Sequence, residues 1–355
     1  MRIVRVEARL LPLRLEEPYT IAYETVETVE NVLLRVVTDG PHVGLGIAAP
    51  DQGVTGERPE ACLAALREVV GPRLLGADAL RRLKHVETFR DLLPEAPAAR
   101  AAVDMALLDL LGKRAGLPVW RLLGGYRGSI ATSATLFITP PEEAARRGRE
   151  LVAQGFRALK IKGGRDLNED IDRVEAVRRE VGPAIELRFD ANQGYSVDDA
   201  LRFILATEHL NLSVMEQPTK AHRMPALKAV TQGSHLRIMA DESLNSAPDT
   251  FRFARNDAMD MVNIKLARVG GVDPAMLMNG VARAAGLEVM VGCVDEAALS
   301  IAASLAFALS RRNVEMADLD GHLDLLDDPT ACCVTLRGGL LYPSEEPGLG
   351  LRDLG

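Results

Sequence analysis

From about residue 130 onward, short apolar runs alternate with amphipathic stretches at a nearly constant spacing. The helical stretches include NEDIDRVEAVRREVG and DPAMLMNGVARAAG, and the apolar runs are SATLFI, ALKIK, IELRFDAN, LSVMEQP, RIMADES, MVNIKLA, LEVMVGC and VEMADLD. This alternation predicts parallel strands covered by helices, and eight units predict an α/β fold of the (β/α)8 TIM-barrel type. A doubly wound open sheet is the alternative. It usually carries a Gly-rich phosphate turn after its first strand, and the sequence has no such turn.

The first 125 residues or so have a different pattern. RIVRVEARLLPLRL and VENVLLRVVTDG alternate like strands, and DG marks a turn. EACLAALREVVGPRLLG and AARAAVDMALLDLLGKRAG have the 3.6-residue period of amphipathic helices, the second ending at a Gly116 C-cap before Pro118. Strands followed by helices predict a small α+β domain over residues 1–125, followed by a barrel over residues 126–325.

Composition narrows the classes of function. The chain has 355 residues, 47% hydrophobic and 26% charged residues, and a net charge of −8, which argues against a general nucleic-acid binder. The apolar stretch AALSIAASLAFALS is too short to span a bilayer, so we expect a buried helix and no membrane partner. The start of the chain scatters charges among its apolar residues, unlike a secretory signal. No C-x-x-C pair is formed by Cys62, Cys293, Cys332 and Cys333, which favours a reducing cytoplasm.

Polar residues recur where the predicted strands end. The intervals between Lys162, Asp190, Glu216, Asp241 and Lys265 are 28, 26, 25 and 24 residues, about the length of one β–α unit. These five side chains are therefore expected at the carboxyl ends of successive strands, the face on which barrels build active sites.

Three carboxylates brought together repel one another unless a cation neutralises them. Asp190, Glu216 and Asp241 are oxygen ligands with no histidine or cysteine beside them, a set that suits Mg²⁺. The alternative is that each acid caps a helix or forms a salt bridge. Asn192 lies on the same face as Asp190 and is expected to support the site, whereas Glu242 is expected to point elsewhere.

Two lysines two residues apart, Lys160 and Lys162, share one face of their strand. They are either solvated lysines of an exposed edge strand or parts of the site. In the second case Lys160 is a second cation that lowers the pKa of Lys162 and contacts a substrate carboxylate. Lys162 precedes the acids by one strand and Lys265 follows them, so the two bases face opposite sides of a carbon atom. The carbon beside the substrate carboxylate would then lose its proton to one lysine, forming a metal-stabilised enediolate, and receive a proton from the other lysine on the opposite side.

The motifs KIK, DANQG, EQP, ADES and NIKLARVGG occur in this order, after AARAAVDMALLDLLGKRAGLPVWRLLGG. The chain resembles the muconate-lactonizing subgroup of the enolase superfamily over nearly its whole length. The resemblance implies a capping domain on a modified barrel, with residues 326–355 returning to the cap. It also implies one Mg²⁺ per subunit on Asp190, Glu216 and Asp241, and Lys162 and Lys265 as the acid–base pair. Proteins of this kind often form homo-oligomers.

The stretch MADLDGHLDL separates the reactions of this subgroup. Asp318 and Asp320 share a face of the last strand, and dipeptide epimerases carry such an Asp-x-Asp to bind the α-amino group of a dipeptide. The resemblance thus implies inversion of the C-terminal residue of L,L-dipeptides. The alternatives are an N-acylamino acid racemase or o-succinylbenzoate synthase with the same metal and lysines, a surface acidic loop, and a non-catalytic barrel. The last would be expected to have lost a ligand or a lysine, and all five are present.

Side-chain preference depends on residues around the site. Ala-Glu epimerases have a segment similar to PFxIARG near the first covering loop. This chain has PYTIAYET there, with Tyr23 at the arginine position and Glu24 after it. Acids are added at Asp51 and Asp295, which favours a cationic (Lys or Arg) dipeptide; the alternative is that the loop acids are merely solvated. Two small residues complete the expected site, Thr135 for substrate binding and Cys293 as a lining group.

Overall fold

The computed structural model describes residues 1–22 and 25–354. The N-terminal part is an antiparallel sheet with helices on one side. Its strands are β1 (Ile3–Thr20), β2 (Thr25–Thr38) and β3 (Val43–Ala48). The helices are α1 (Pro59–Ala64), α2 (Gly71–Leu74), α3 (Arg82–Leu92), α4 (Pro97–Ala115) and α5 (Val119–Leu122), with a π-helical turn at Ala65–Val70 between α1 and α2.

The second part is the alternating unit that the sequence predicts. A short strand β4 (Ile130–Ala131) precedes eight parallel strands: β5 (Ser133–Leu136), β6 (Ala158–Lys162), β7 (Glu186–Asp190), β8 (Leu212–Glu216), β9 (Ile238–Ala240), β10 (Met261–Lys265), β11 (Glu288–Gly292) and β12 (Val314–Asp318). The helices are α6 (Pro141–Ala153), α7 (Leu167–Val181), α8 (Val197–Ala206), α9 (Met224–Gly233), α10 (Ala247–Arg255), α11 (Leu266–Val269), α12 (Val272–Ala284) and α13 (Ala298–Ser310).

The eight strands follow one another in chain order around a nearly closed sheet. A parallel bridge between Thr132 and Ala317 brings the first and last strands together. The Thr132 hydroxyl also accepts a hydrogen bond of 2.8 Å from the Leu319 amide. The predicted TIM-type barrel with an α+β cap is confirmed.

The C-terminal segment returns to the cap. Strand β13 (Leu325–Leu326) pairs antiparallel with β1, and β14 (Val334–Arg337) and β15 (Leu340–Pro343) form a small sheet with β4. The carboxylate of Asp109, buried in α4, accepts hydrogen bonds from the amides of Leu45 and Leu349 and pairs with Lys113 at 2.7 Å. The cap is therefore built from both ends of the chain.

Local signals in the sequence explain the ends and the burial of two helices. Helix α4 ends at Gly116, which has a left-handed backbone (φ 69°) that glycine adopts without strain, as the C-cap prediction requires. Every residue of α13 is buried, because it packs against strands of the barrel and the C-terminal strands.

Among the described residues, no helix has both the length and the apolar character of a membrane span. All four cysteines are free.

We expect Asp109→Ala to lower the free energy of unfolding by roughly 3 to 5 kcal/mol, because the variant leaves the Lys113 ammonium buried without its counter-charge. Denaturant unfolding followed by circular dichroism measures the change. Exposed Asp91→Ala is the matched control and should shift stability by less than about 0.5 kcal/mol. A loss of under 1 kcal/mol for Asp109→Ala would show that the pair does not hold the cap together.

Candidate active site

The polar residues predicted at strand ends lie where their intervals place them. Lys162, Asp190, Glu216 and Lys265 are the last residues of β6, β7, β8 and β10, and Asp241 directly follows β9. Lys162 pairs in register with Asp190, and Asp190 with Glu216. The three carboxylates are buried, with 0 to 2% of each residue exposed.

Lys162 and Lys265 stand on opposite sides of the barrel mouth, because β6 and β10 are four strands apart in a sheet of eight. Both line one cavity of about 90 Å³. Eight further residues that the sequence predicts for the site line the same cavity: Lys160, Asn192, Asp318, Asp320, Asp295, Asp51, Thr135 and Cys293. The three predicted metal ligands, Asp190, Glu216 and Asp241, are not among the residues that line this cavity, and Tyr23 and Glu24 lie outside the described part of the chain.

Lys160 connects the acids of three strands. Its ammonium lies 3.1 Å from Asp190, 2.9 Å from Glu216 and 2.7 Å from Asp318. Burial acts to lower the pKa of Lys160, but the three carboxylates more than offset it and hold this pKa well above its ordinary value. Lys160 also lies beside Lys162, because both ammonium groups pair with Oδ2 of Asp190, and its role as the second cation of the site stays a prediction.

Asp241 is held by two cations. Its carboxylate lies 2.5 Å from Nη2 of Arg268 and 3.0 Å from Nζ of Lys265. Burial raises the pKa of Asp241, but Arg268 and Lys265 outweigh it and hold the pKa below the usual range. The pKa of Lys265 is raised, because Asp241 outweighs the lowering effect of burial.

Glu216 carries the least compensated of the three negative charges. Burial and the neighbouring charges of Asp190 and Asp241 raise the pKa of Glu216 to about 8, although Lys160 acts against them. The pKa of Asp190 is lowered, because Lys162 and Lys160 outweigh its burial. The described residues present no ready-made group of three ligands around one point. The donor set nonetheless fits a divalent cation, because three buried carboxyl groups at the ends of adjacent strands supply oxygen ligands, and the charges of Asp190 and Asp241 disfavour ionisation of Glu216 in these surroundings.

Asn192 and Glu242 both belong to the cavity wall. Asn192 Oδ1 accepts a 3.0 Å hydrogen bond from Lys162, and its Nδ2 donates a 3.3 Å hydrogen bond to Glu242. The expectation that Glu242 points elsewhere is wrong. Strand β9 already ends at Ala240, so the alternation of side chains between two faces no longer applies at Glu242.

Asp318 and Asp320 differ in how much of each carboxylate is already engaged. Asp318 accepts hydrogen bonds from Ser133 (2.6 Å) and Lys160 (2.7 Å); these partners outweigh its burial and lower its pKa to about 2. Asp320 accepts a 2.8 Å hydrogen bond from the Thr135 amide on one oxygen, and its other oxygen lies 3.9 Å from Sγ of Cys293. Burial and the charge of Asp318 raise the pKa of Asp320 to about 6.

The cap supplies one wall of the cavity. Tyr19 stacks on Phe137 with ring centroids 3.9 Å apart, and its hydroxyl donates a short hydrogen bond to Asp295. Burial raises the pKa of Asp295 to about 7. The hydrogen bond from Tyr19 acts to lower this pKa, whereas the charges of nearby acids add to the increase. Asp51 also lines the cavity, although one of its oxygens accepts hydrogen bonds from the amides of Gly53 and Val54.

Sequence reasoning did not single out four residues of this region: Tyr19, Phe137, Arg268 and Asp324. Arg268 had a usable signal, because a cation three residues after Lys265 in NIKLARVGG lies within one helical turn of the strand end. Asp324 falls in the acidic stretch MADLDGHLDL, but nothing in its spacing separates it from a solvated loop acid.

The structure is a capped barrel in which two opposed lysines and three buried carboxyl groups lie at the carboxyl ends of the strands. Residues 4–124 match the family "Mandelate racemase / muconate lactonizing enzyme, N-terminal domain", and residues 143–352 match "Enolase C-terminal domain-like". The chain therefore belongs to the enolase superfamily, in the mandelate racemase and muconate-lactonizing enzyme family.

Its similar relatives include proteins of different specificity. The L-Ala-D/L-Glu epimerase of Bacillus subtilis is 36% identical over 99% of this chain and 97% of its own. The L-Lys-D/L-Arg epimerase of Methylococcus capsulatus is 38% identical over 99% of both chains. A dipeptide epimerase of Enterococcus faecalis, solved with Mg and L-Leu-L-Tyr, superposes with a TM-score of 0.97 at 36% identity, covering 99% of this chain and 100% of that chain.

We expect Tyr19→Phe to raise the pKa of Asp295 further above about 7, because the variant removes the hydroxyl that stabilises the ionised carboxylate. Carbon-13 NMR of labelled aspartate carboxyl groups measures the titration, and an Asp295→Asn spectrum assigns the signal. Phe137→Leu removes the stacking partner and keeps the hydroxyl, so it serves as the control. An unchanged Asp295 titration in Tyr19→Phe would show that this hydrogen bond does not set the acidity.

Proposed function

We propose that this protein is a Mg²⁺-dependent dipeptide epimerase that inverts the α-carbon of the C-terminal residue of L,L-dipeptides. The observation that carries the proposal is that Lys162 and Lys265 face one cavity from opposite sides. The Asp320 carboxylate lines the same cavity. One lysine removes the α-proton, and the other returns a proton to the opposite face.

The Asp-x-Asp pair is proposed to hold the α-ammonium group of the dipeptide. Both oxygens of Asp318 are occupied by Ser133 and Lys160, so Asp318 contributes mainly its charge. Among the described residues, the hydrogen-bond partner of the other Asp320 oxygen is the Cys293 thiol, 3.9 Å away. We therefore assign the direct hydrogen bond to Asp320, and assign to Thr135 the role of orienting Asp320 through its backbone amide.

Asp190, Glu216 and Asp241 are the residues that would hold the magnesium ion. When bound, the ion polarises the substrate carboxylate and stabilises the negative charge that develops on it. Lys160 already pairs with two of these ligands, which keeps their charges balanced, and Asn192 orients Lys162 beside them. The dipeptide complex of the E. faecalis relative, which contains Mg, supports this assignment.

A cationic side chain is the proposed preference. The cavity wall carries the acids Asp51, Asp295 and Asp324 in addition to Asp320, and mutual repulsion contributes to the raised pKa of Asp295. A lysine or arginine side chain placed among them relieves that repulsion. The similarity to an L-Lys-D/L-Arg epimerase supports this preference, although relatives of other specificity are nearly as similar.

An N-acylamino acid racemase or o-succinylbenzoate synthase is the alternative, because it would use the same metal ligands and lysines. Substrates of these enzymes have no free α-ammonium group. The Asp320 carboxylate favours the epimerase, because burial and the charge of Asp318 outweigh the stabilising charge of Lys160, and an ammonium group of the substrate would offset that imbalance.

We expect proton NMR in D₂O with Mg²⁺ to show deuterium entering the α-carbon of the C-terminal residue as the L,D diastereomer forms, and a chelator to abolish both. Asp320→Asn should lower kcat/KM for dipeptides by about 30-fold or more, because the ammonium group loses its charged partner. Exposed Asp39→Asn in the cap is the control. Exchange only on N-succinyl amino acids, with Asp320→Asn unimpaired, would favour the alternative.

We expect Lys- and Arg-containing dipeptides to have higher kcat/KM than Ala-Glu, with a preference that increases with pH between about 5.5 and 8. The sign follows from the pKa of Asp295, raised to about 7: below it the carboxyl is neutral, and above it the carboxylate attracts the cation. Asp295→Asn should flatten this dependence, as measured by kcat/KM ratios across that range. Faster turnover of Ala-Glu would overturn the preference without touching the reaction type.

A further inference from the structure

A chain of hydrogen bonds runs from one of the two lysines to an acid outside the proposed metal ligands. Lys162 Nζ donates to Asn192 Oδ1 at 3.0 Å, and Asn192 Nδ2 donates to Glu242 Oε1 at 3.3 Å. All three residues line the catalytic cavity, and Asn192 is 5% exposed. The other oxygen of Glu242 is buried and has no hydrogen-bond partner among the described residues. Glu242 is thus a buried carboxylate without a role in the mechanism above.

The two charged neighbours of Asn192 fix the orientation of its amide. With Oδ1 toward Lys162 and Nδ2 toward Glu242, each contact joins a donor and an acceptor. A flipped amide would set N–H against the ammonium group and oxygen against the carboxylate, and both contacts would be repulsive. The backbone of Asn192 is also held in place. Its N–H donates a 2.9 Å hydrogen bond to the Asp190 carboxylate, and its φ is 40°.

Only one of the two lysines has this support. Lys162 has three N–H donors, of which Asp190 (2.8 Å) and Asn192 take two and leave the third for the cavity. Lys265 pairs with Asp241 at 3.0 Å, and its described contacts include no amide oxygen. A change at Glu242 should therefore affect the face of the substrate that Lys162 serves more than the face that Lys265 serves.

We infer that Glu242 is a positioning residue for Lys162, acting through the side-chain amide of Asn192. The inference rests on the proposed function, in which Lys162 and Lys265 each serve one configuration of the α-carbon. Removing the acceptor at position 242 lets the Asn192 amide flip, so Lys162 loses the oxygen that directs its remaining N–H toward the cavity. The second lysine keeps its own partner.

The test compares exchange with inversion in Glu242→Met, starting separately from the L,L and the L,D dipeptide in D₂O with Mg²⁺. Proton NMR gives the rate of deuterium entry without inversion and the rate of inversion for each. Lys162→Ala and Lys265→Ala show which diastereomer each lysine deprotonates. For the diastereomer deprotonated by Lys265, Glu242→Met should raise the ratio of exchange to inversion by about tenfold, because Lys162 fails to deliver the returning proton. The other diastereomer should show no such rise.

Two variants separate positioning from a general loss of structure. Glu242→Gln keeps an acceptor oxygen for Asn192 and should restore most of the wild-type ratio. Glu57→Met removes a buried glutamate of the cap that binds the amides of Ala98 and Ala99 away from both lysines, so it should leave the two ratios equal to wild type. Equal changes for both diastereomers in Glu242→Met would overturn the inference. Absence of exchange in the wild-type protein would instead overturn the proposed function.

Discussion

Buried negative charge at the carboxyl ends of β7, β8 and the residue after β9 is the constraint on which this site depends. Three carboxylates with almost no exposure are strongly unfavourable unless cations compensate them. The barrel meets this requirement from its own strands, with Lys160 between Asp190 and Glu216 and with Arg268 and Lys265 on Asp241. Lys160 and Lys265, which balance this charge, are thereby held at the cavity. The ion pairs that stabilise the buried acids therefore also fix Lys265, one of the two proposed bases.

The regular part of this arrangement could be predicted from the sequence, because a period of about 25 residues fixes which side chains reach one face of a barrel. All eight strands and the last residues of β6, β7, β8 and β10 followed from it. The period cannot describe residues beyond a strand end, which is why Glu242 was misplaced and Arg268 overlooked. Nor does alternation reveal which charges lie opposite a side chain, so the sequence did not predict that the Lys160 ammonium group pairs with three acids.

The side chains in and around the cavity come from separate parts of the fold. The lysines and the three acids belong to barrel strands, whereas Tyr19 and Asp51 come from the cap and Asp324 from the segment after the last strand. A cavity of about 90 Å³ is far smaller than ordinary ligand pockets of roughly 300 to 1,000 Å³, so under the proposed function a bound dipeptide would need side chains of this wall to move.

The cap can be completed only after Leu349 has been synthesised. Its helix α4 is made early, but Asp109 in that helix accepts a hydrogen bond from Leu349, 240 residues later, and β13 joins the edge of β1 only after the last barrel strand. Contacts so distant along the chain form slowly, and a nascent N-terminal part lacks them while the barrel is still being made. A chain whose synthesis stops before Leu349 would therefore have an incomplete cap. Such a truncated chain would be open to proteolysis.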